Sequence, residues 1–292
     1  MLKSNATQLE VAGIPTATLG LTGKTIPILG FGTAEYPFGP LGEAIAQALK
    51  LGLVQSREQL FITSKLFPID AHHDLVLPAI RKTLMYILTL EILKNLGLEY
   101  LDLYLIHFPA SLKRGANGVT FSKEDIMAMD MESVWKAMEE CQKLGLTKSI
   151  GVSNFTCKKL EELLATASIP PAANQRKLRE YCAEKGIHIT AYSPLGGRGT
   201  PWGSNRVLEC KTLQEIAEAK GKTVAQQGVS LVVKSFREER IAENLDILDW
   251  KLTEEELQKI SQIPQKRGSL AENFIYDNGP YKSVMEIWDG DV

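Results

Sequence analysis

Few cysteines, no long apolar run and no excess of charge of either sign characterise this chain. Its four cysteines, Cys141, Cys157, Cys182 and Cys210, lie far apart with no CxxC pair, which argues against a zinc site and against a dense disulfide framework. A reducing compartment fits that pattern. With 33 Lys and Arg against 35 Asp and Glu, the formal charge of -2 offers no broad field to draw a nucleic acid. No stretch approaches the roughly 18 apolar residues of a membrane span, and the opening MLKSNATQLEVAG has no signal-peptide core. The expectation is a cytoplasmic protein with neither a membrane nor a nucleic-acid partner and no metal; a protein partner is left open. Also missing is the dinucleotide fingerprint GxGxxG, because GFGTAE (30–35) has no third glycine and no helix directly after it.

What is present is ordinary globular material, 292 residues at 44% hydrophobic and 23% charged, with no low-complexity linker to divide it. One domain over residues 1–292 is expected. After a hairpin in TLGLTGKTIPI and a strand in IPILGFGT, strands and helices take turns. The expected helices are Leu41–Gly52, Asp74–Gly97, DMESVWKAMEECQKLG, TCKKLEELLATA, RKLREYCAEKG, LECKTLQEIAEAKG and REERIAENLDIL. Between them lie the expected strands Leu60–Lys65, LDLYLIH, SIGVSN, PAANQ, IHITAYS and SLVVKS.

That alternation predicts a parallel sheet, either a closed (β/α) barrel or an open doubly wound sheet. The polar residues choose between them. Nearly every strand ends in one: Thr33, Lys65, His107, Ser153 with Asn154, Asn174 with Gln175, Tyr192 with Ser193, and Lys234 with Ser235. A barrel spreads its chemistry over many strand ends, whereas an open sheet concentrates it at one switch point. The expected fold is therefore a (β/α)8 TIM barrel. Only seven strand-helix units are found where eight are needed, so either one βα unit is missing and the barrel is incomplete or the division into elements is wrong.

Each strand-end residue carries two readings. His107 is either a polar rim residue or a working imidazole. Lys65, one strand away, is a solvated rim charge or an amine that lowers the pKa of a neighbouring phenol. Ser153, Asn154 and Gln175 suit a flat amide and Tyr192 an aromatic ring, or they simply cap strands. Lys234, Ser235, Arg237 and Arg240 crowd cations at a helix start, contrary to the dipole, which invites a phosphate unless the face is merely solvated.

The stretches LGFGTA, LFITSKL, LEYLDLYLIHFP, SVWKAMEECQKLGLTKSIGVSNF, IPPAANQ, ITAYSPLG and VVKSFREERIAEN together resemble the aldo-keto reductase family. The likeness is greatest to its plant group of chalcone, codeinone and galacturonate-type reductases. It covers nearly the whole chain and implies a barrel that binds NADPH across its C-terminal rim and reduces a small-molecule aldehyde or ketone. By that resemblance Ser153, Asn154 and Gln175 hold the nicotinamide carboxamide, Tyr192 stacks on the ring, and Gly32 and Thr33 line that end. Ser193 and Leu195 border the pyrophosphate, Lys234, Ser235 and Arg240 grip the 2′-phosphate, and Glu243 and Asn244 reach the adenine. His107 orients the carbonyl oxygen, Lys65 depresses the pKa of a catalytic tyrosine, and Phe108, where HWP is commoner, faces the substrate.

The tyrosine itself has no counterpart. The family carries a GYRHFDTAxxY-type segment ahead of the LGEAI helix, but here GTAEYPFGP runs straight into Leu41. Tyr36 is the one phenol nearby and sits at a different place. Further departures are the short loop in NQRKLREYC, a shortened helix in TVAQQGVSLVVKS and an insertion at MYILTLEI (85–92). They are clean blocks inside otherwise close sequence, the pattern of exon skipping and intron retention, of a faulty gene model or of a decaying duplicate rather than of gradual divergence. The expectation is a reductase by descent with impaired turnover; the alternatives are a non-catalytic NADPH-binding or partner-binding protein and an unstable product with no function.

Overall fold

The computed structural model of the chain describes residues 14–19, 23–32, 45, 47–48, 50–87, 99–118, 120–171, 177–197, 203–224, 231–233, 237–247, 250–264 and 267–290. An antiparallel hairpin, β1 (Thr16–Leu19) with β2 (Lys24–Pro27), opens it. Its turn passes through Gly23 at φ 70, a left-handed value that glycine adopts without steric cost. The order then runs β3 (Leu29–Phe31), β4 (Thr63–Leu66), α1 (His73–Ile87), β5 (Leu101–Ile106), β6 (Ser111–Leu112), β7 (Ile126–Met127), α2 (Met131–Lys143) and β8 (Thr147–Val152). It continues with α3 (Cys157–Leu164), α4 (Lys177–Glu184), β9 (Ala191–Tyr192), α5 (Lys211–Ala219), β10 (Leu231–Val233), α6 (Glu238–Leu245), α7 (Glu254–Ser261) and α8 (Val284–Ile287).

Two parallel triplets carry the architecture, β4-β5-β8 and β3-β10-β9. Within them each neighbour is the next parallel strand of the chain, except that β10, the last, pairs with β3, the first, Leu231 beside Leu29 and Val233 beside Phe31. The last parallel strand pairing with the first is the order of a barrel, not of an open sheet with a switch point, although among the described residues the two triplets are not paired with each other. The expected strand PAANQ falls almost wholly on residues 172–176, outside the described residues, as do 33–44 and 88–98.

Register decides which side chains face inward. Lys65 stands beside Leu105 and Leu105 beside Gly151, while Leu103 lies between Thr63 and Ser149. Side chains alternate along a strand, so Lys65, Leu103, Leu105 and Gly151 share the interior face. Leu103 and Leu105 meet Leu19 and Ile26 there, and the hairpin thereby plugs the N-terminal end. Leu66, Tyr104, Ile106, Ile150 and Val152 face outward into a shell built from Val76, Ile80, Val134, Trp135, Met138 and Leu160. All six residues of β5 are buried, as a strand covered on both faces requires.

The helices follow from their apolar rows. Val76, Ile80 and Leu84, four residues apart, are the buried stripe of α1. Asp130 caps α2 by accepting from the Ser133 amide at 3.2 Å, and Gly145 at φ 75 follows its end. Each fully buried Val, Ile or Leu contributes about 1.5–3 kcal/mol.

Three strand boundaries differ from expectation for visible reasons. Leu60–Lys65 becomes Thr63–Leu66, because the Ile62 amide donates to the Asp102 carboxylate at 2.8 Å rather than to a strand. SIGVSN begins earlier and stops at Val152, because Asn154 turns left-handed at φ 63. IHITAYS shrinks to Ala191–Tyr192, ended by Ser193 at φ 46. Helix α7 was not anticipated, although Thr253 and Glu256 form a complete capping box at its start.

Candidate active site

Lys65, His107 and Ser153 come together because β4, β5 and β8 end at one level. Lys65 lies near the C-terminal end of β4, and His107 and Ser153 follow directly on β5 and β8. The alternation that turns Lys65, Leu105 and Gly151 inward carries on to His107 and Ser153. The strand ends are tied by the His107 amide donating to the Leu66 carbonyl at 3.0 Å and the Ser153 amide to Ile106 at 2.8 Å. Asn154 completes the tie: its side-chain amide donates to the His107 carbonyl at 2.8 Å and to Ser153 Oγ at 3.2 Å. Ser153 and Asn154 are both buried, and Asn is among the few side chains that accept φ 63 without large strain.

Burial sets the protonation of this cluster. It holds the Lys65 ammonium below its ordinary pKa, since a cation in an apolar wall is poorly solvated. The His107 imidazole is pushed down to about 4, first by burial and then by the charge of Lys65. At neutral pH His107 is therefore uncharged, one ring nitrogen donating and the other accepting. Its ring meets Phe67 edge-on, centroids 4.9 Å apart at 71°. Among the described residues no carboxylate pairs with Lys65 and no phenol hydrogen-bonds to it. Tyr104 is buried in the outer shell. Tyr281 donates to the Pro109 carbonyl at 2.7 Å, and burial pushes its phenol up to about 12.

Phe108 is buried, stacked on Phe274 at 4.2 Å and edge-on to Trp288 at 6.0 Å. The C-terminal segment is thus the cover over this side of the mouth. Lys159, itself buried, locks it by donating to the Ile287 carbonyl at 2.9 Å and to Asp289 Oδ2 at 2.6 Å, which Thr156 Oγ1 also reaches. Sequence reasoning passed over Phe274, Tyr281 and Trp288. The concentration of aromatics in NFIYDNGPYKSVMEIW was the available signal.

Of the remaining candidates, Gly32 is half-buried beyond β3. Ser193 leads a tight turn: its carbonyl accepts from the Gly196 amide at 2.9 Å, and the Gly196 carbonyl from Ser204 at 2.7 Å. A Cβ at Gly196 would lie 2.3 Å from the Ser204 carbonyl oxygen, so that position requires glycine. Leu195 is half-buried in this turn, and on α6 Arg240 and Glu243 are exposed and Asn244 half-buried. Tyr192 supplies backbone to β9. Thr33, Gln175, Lys234, Ser235 and the nearby Tyr36 lie outside the described residues. The structure therefore brings Lys65, His107, Ser153 and Asn154 to one end, and sets Ser193, Leu195 and the α6 residues after the adjacent strands β9 and β10.

Comparison with known proteins gives this arrangement its place. The profile of the Aldo/keto reductase family matches residues 31–265, from β3 past α7. The chain belongs to the aldo-keto reductase family. A Melia azedarach enzyme described as 7-acetyl-epi-neemfruitin B aldo-keto reductase is 53% identical over 328 residues, covering 97% of this chain and 99% of its own. Among solved structures, the aldose reductase of Schistosoma japonicum superposes with a TM-score of 0.73 at 29% identity, over 87% of this chain and 94% of its own. The Bombyx mori aldo-keto reductase in complex with NADP gives 0.66 at 30% identity, over 85% and 92%. The aldo-keto reductase architecture is the (β/α)8 barrel, which is this chain's fold. No helix of the described residues is long and apolar enough to cross a membrane.

Proposed function

We propose that this chain, as one domain in the cytoplasm, binds NADPH across the C-terminal mouth of the barrel and reduces a small aldehyde or ketone, with turnover lowered by the loss of its proton donor. The convergence of Lys65, His107, Ser153 and Asn154 on one mouth carries the reading. The residues present fit the cofactor. Ser153 and Asn154 are buried polar groups suited to an amide, and Arg240 is an exposed cation suited to a phosphate. The NADP complex of the Bombyx mori relative supports the same choice.

When bound, NADPH supplies a hydride to the carbonyl carbon. Ser153, Asn154 and Gln175 would hold its carboxamide and Tyr192 its ring, with Gly32 and Thr33 at that end. Ser193 and Leu195 would border the pyrophosphate, Lys234, Ser235 and Arg240 would take the 2′-phosphate, and Glu243 and Asn244 the adenine. Neutral His107 donates a hydrogen bond to the carbonyl oxygen and so fixes its direction. Phe108, with Phe274 and Trp288, walls the substrate from water.

Impairment has its own support. The alignment with the Melia azedarach enzyme runs over 328 positions against 292 residues here, so it opens gaps in this chain. The run from GTAEYPFGP into Leu41 is where the family's Asp and Tyr segment is expected. A positioned general acid contributes about 10²–10⁴ in rate, and turnover should fall by that much. The gap ahead of Leu41, where the family's Asp and Tyr segment is expected, equally supports the second reading, cofactor binding without turnover.

Titration of NADPH into the chain, followed by quenching of its intrinsic fluorescence with NADH as control, tests the proposal. Saturable binding that prefers NADPH, with slow oxidation of NADPH by an added aldehyde, is expected. Binding without any oxidation selects the second reading, and no binding refutes both.

A further inference from the structure

Lys65 is set apart from the other lysines by its place in the barrel. The other lysines with resolved contacts serve structure. Lys159 locks the C-terminal segment, Lys148 lies over the Tyr100 ring beside Asp102, and Lys136 and Lys259 are exposed and paired with Glu132 and Glu255. Lys65 alone among these projects into the barrel interior, at the end opposite the hairpin plug, with Leu105 and Gly151 level with it.

We propose that Lys65 is a covalent capture site for small aldehydes, its amine condensing with the carbonyl carbon to an imine while His107 relays the proton. The proposal shares the mouth with the reductase reading and the expectation of a carbonyl ligand, but it needs neither NADPH nor hydride. In the first step the Nζ lone pair forms a C–N bond and the C=O π pair moves to oxygen, which takes a proton. Loss of the nitrogen proton and protonation of the hydroxyl then break the C–O bond. Water leaves and C=N remains, with no oxidant or reductant consumed.

Each demand of that sequence is met by a residue already placed. Nucleophilic attack needs a neutral amine, and burial enlarges the neutral fraction of Lys65. No described carboxylate holds the proton on, in contrast to Lys136 and Lys259, whose carboxylate partners raise their affinity for it. The relay needs a group that both accepts and donates near neutrality. His107 is uncharged there, and its ring nitrogens have no hydrogen-bond partner among the described residues. Loss of water is favoured in an apolar surrounding, and Leu105 stands level with Lys65 on the next strand.

The test uses the full chain with propanal and sodium cyanoborohydride near neutral pH, without NADPH, read by intact mass and peptide mapping. The expected result is an N-propyl group on Lys65 formed severalfold faster than on Lys136 or Lys259 in the same map. Unfolding the chain in guanidinium should erase that preference, and His107→Gln should slow labelling of Lys65 severalfold while leaving Lys136 unchanged. Labelling of Lys65 no faster than of the exposed lysines overturns the proposal, as does a preference that survives unfolding. Labelling with no NADPH binding sinks the reductase reading alone; NADPH binding with no preferential labelling sinks this one alone.

Discussion

Replacing His107 by Gln should flatten the acid side of the stability curve. The imidazole, ordinarily at 6.5, is pushed down to about 4 in the folded protein, so below neutrality the unfolded chain takes up a proton that the native site refuses. Stability is therefore fully present above 6.5, falls as the pH drops through that value, and levels off near the folded value. At 1.36 kcal/mol per pKa unit, the loss between pH 7 and pH 5 is about 2 kcal/mol. The ring is only half-buried, and solvent screening lowers that to about 1–2 kcal/mol. Urea unfolding followed by tryptophan fluorescence at both pH values gives the comparison. Wild type should lose about 1–2 kcal/mol more than His107→Gln on acidification, while other buried groups such as His188 titrate alike in both chains and cancel. Equal losses would refute the claim that burial keeps His107 neutral.

At the other end of the barrel, Asp102→Ala should cost about 3–5 kcal/mol by urea unfolding, because it leaves the Arg57 guanidinium, bonded to it at 2.6 Å and 3% exposed, as an unpaired buried charge. A loss below 1 kcal/mol would show that water reaches Arg57. Asn154→Ala should destabilise by about 1–2 kcal/mol, combining the lost bond to the His107 carbonyl with an alanine at φ 63. Asn154→Gly should cost less, since glycine relieves the backbone term; the reverse order would show that φ is not the issue.

The alternation of strand and helix and the ring of polar strand ends were legible because both follow from local periodicity and from chemistry confined to strand ends. The inward turn of Lys65 and His107 was not legible, because all six residues of β5 are buried and only the register with β4 and β8 tells one face from the other. What escaped depends on contacts distant in sequence. Asp102 shortens β4 by taking the Ile62 amide, and nothing near Ile62 announces it. The cover formed by Phe274 and Trp288 over Phe108 joins residues more than a hundred positions apart. The capping box of α7 is local and readable in TEEE, but the helix it starts lies after the last barrel strand and outside the strand-helix alternation.

The pairing of β3 with β10 also fixes an order of events during synthesis. Leu29 leaves the ribosome early and its partner Leu231 near the end, an interval of roughly 10–40 s at 5–20 residues per second. Throughout it, one flank of β3 presents its amides and carbonyls to whatever strand is nearby, while β4, β5 and β8 can already assemble. Pairing of β3 with β10 therefore comes late, followed by docking of the C-terminal cover of Phe274 and Trp288. The yield of native protein should therefore respond to whatever shields that strand during the wait, such as slower crowding at low temperature or a chaperone on the nascent chain.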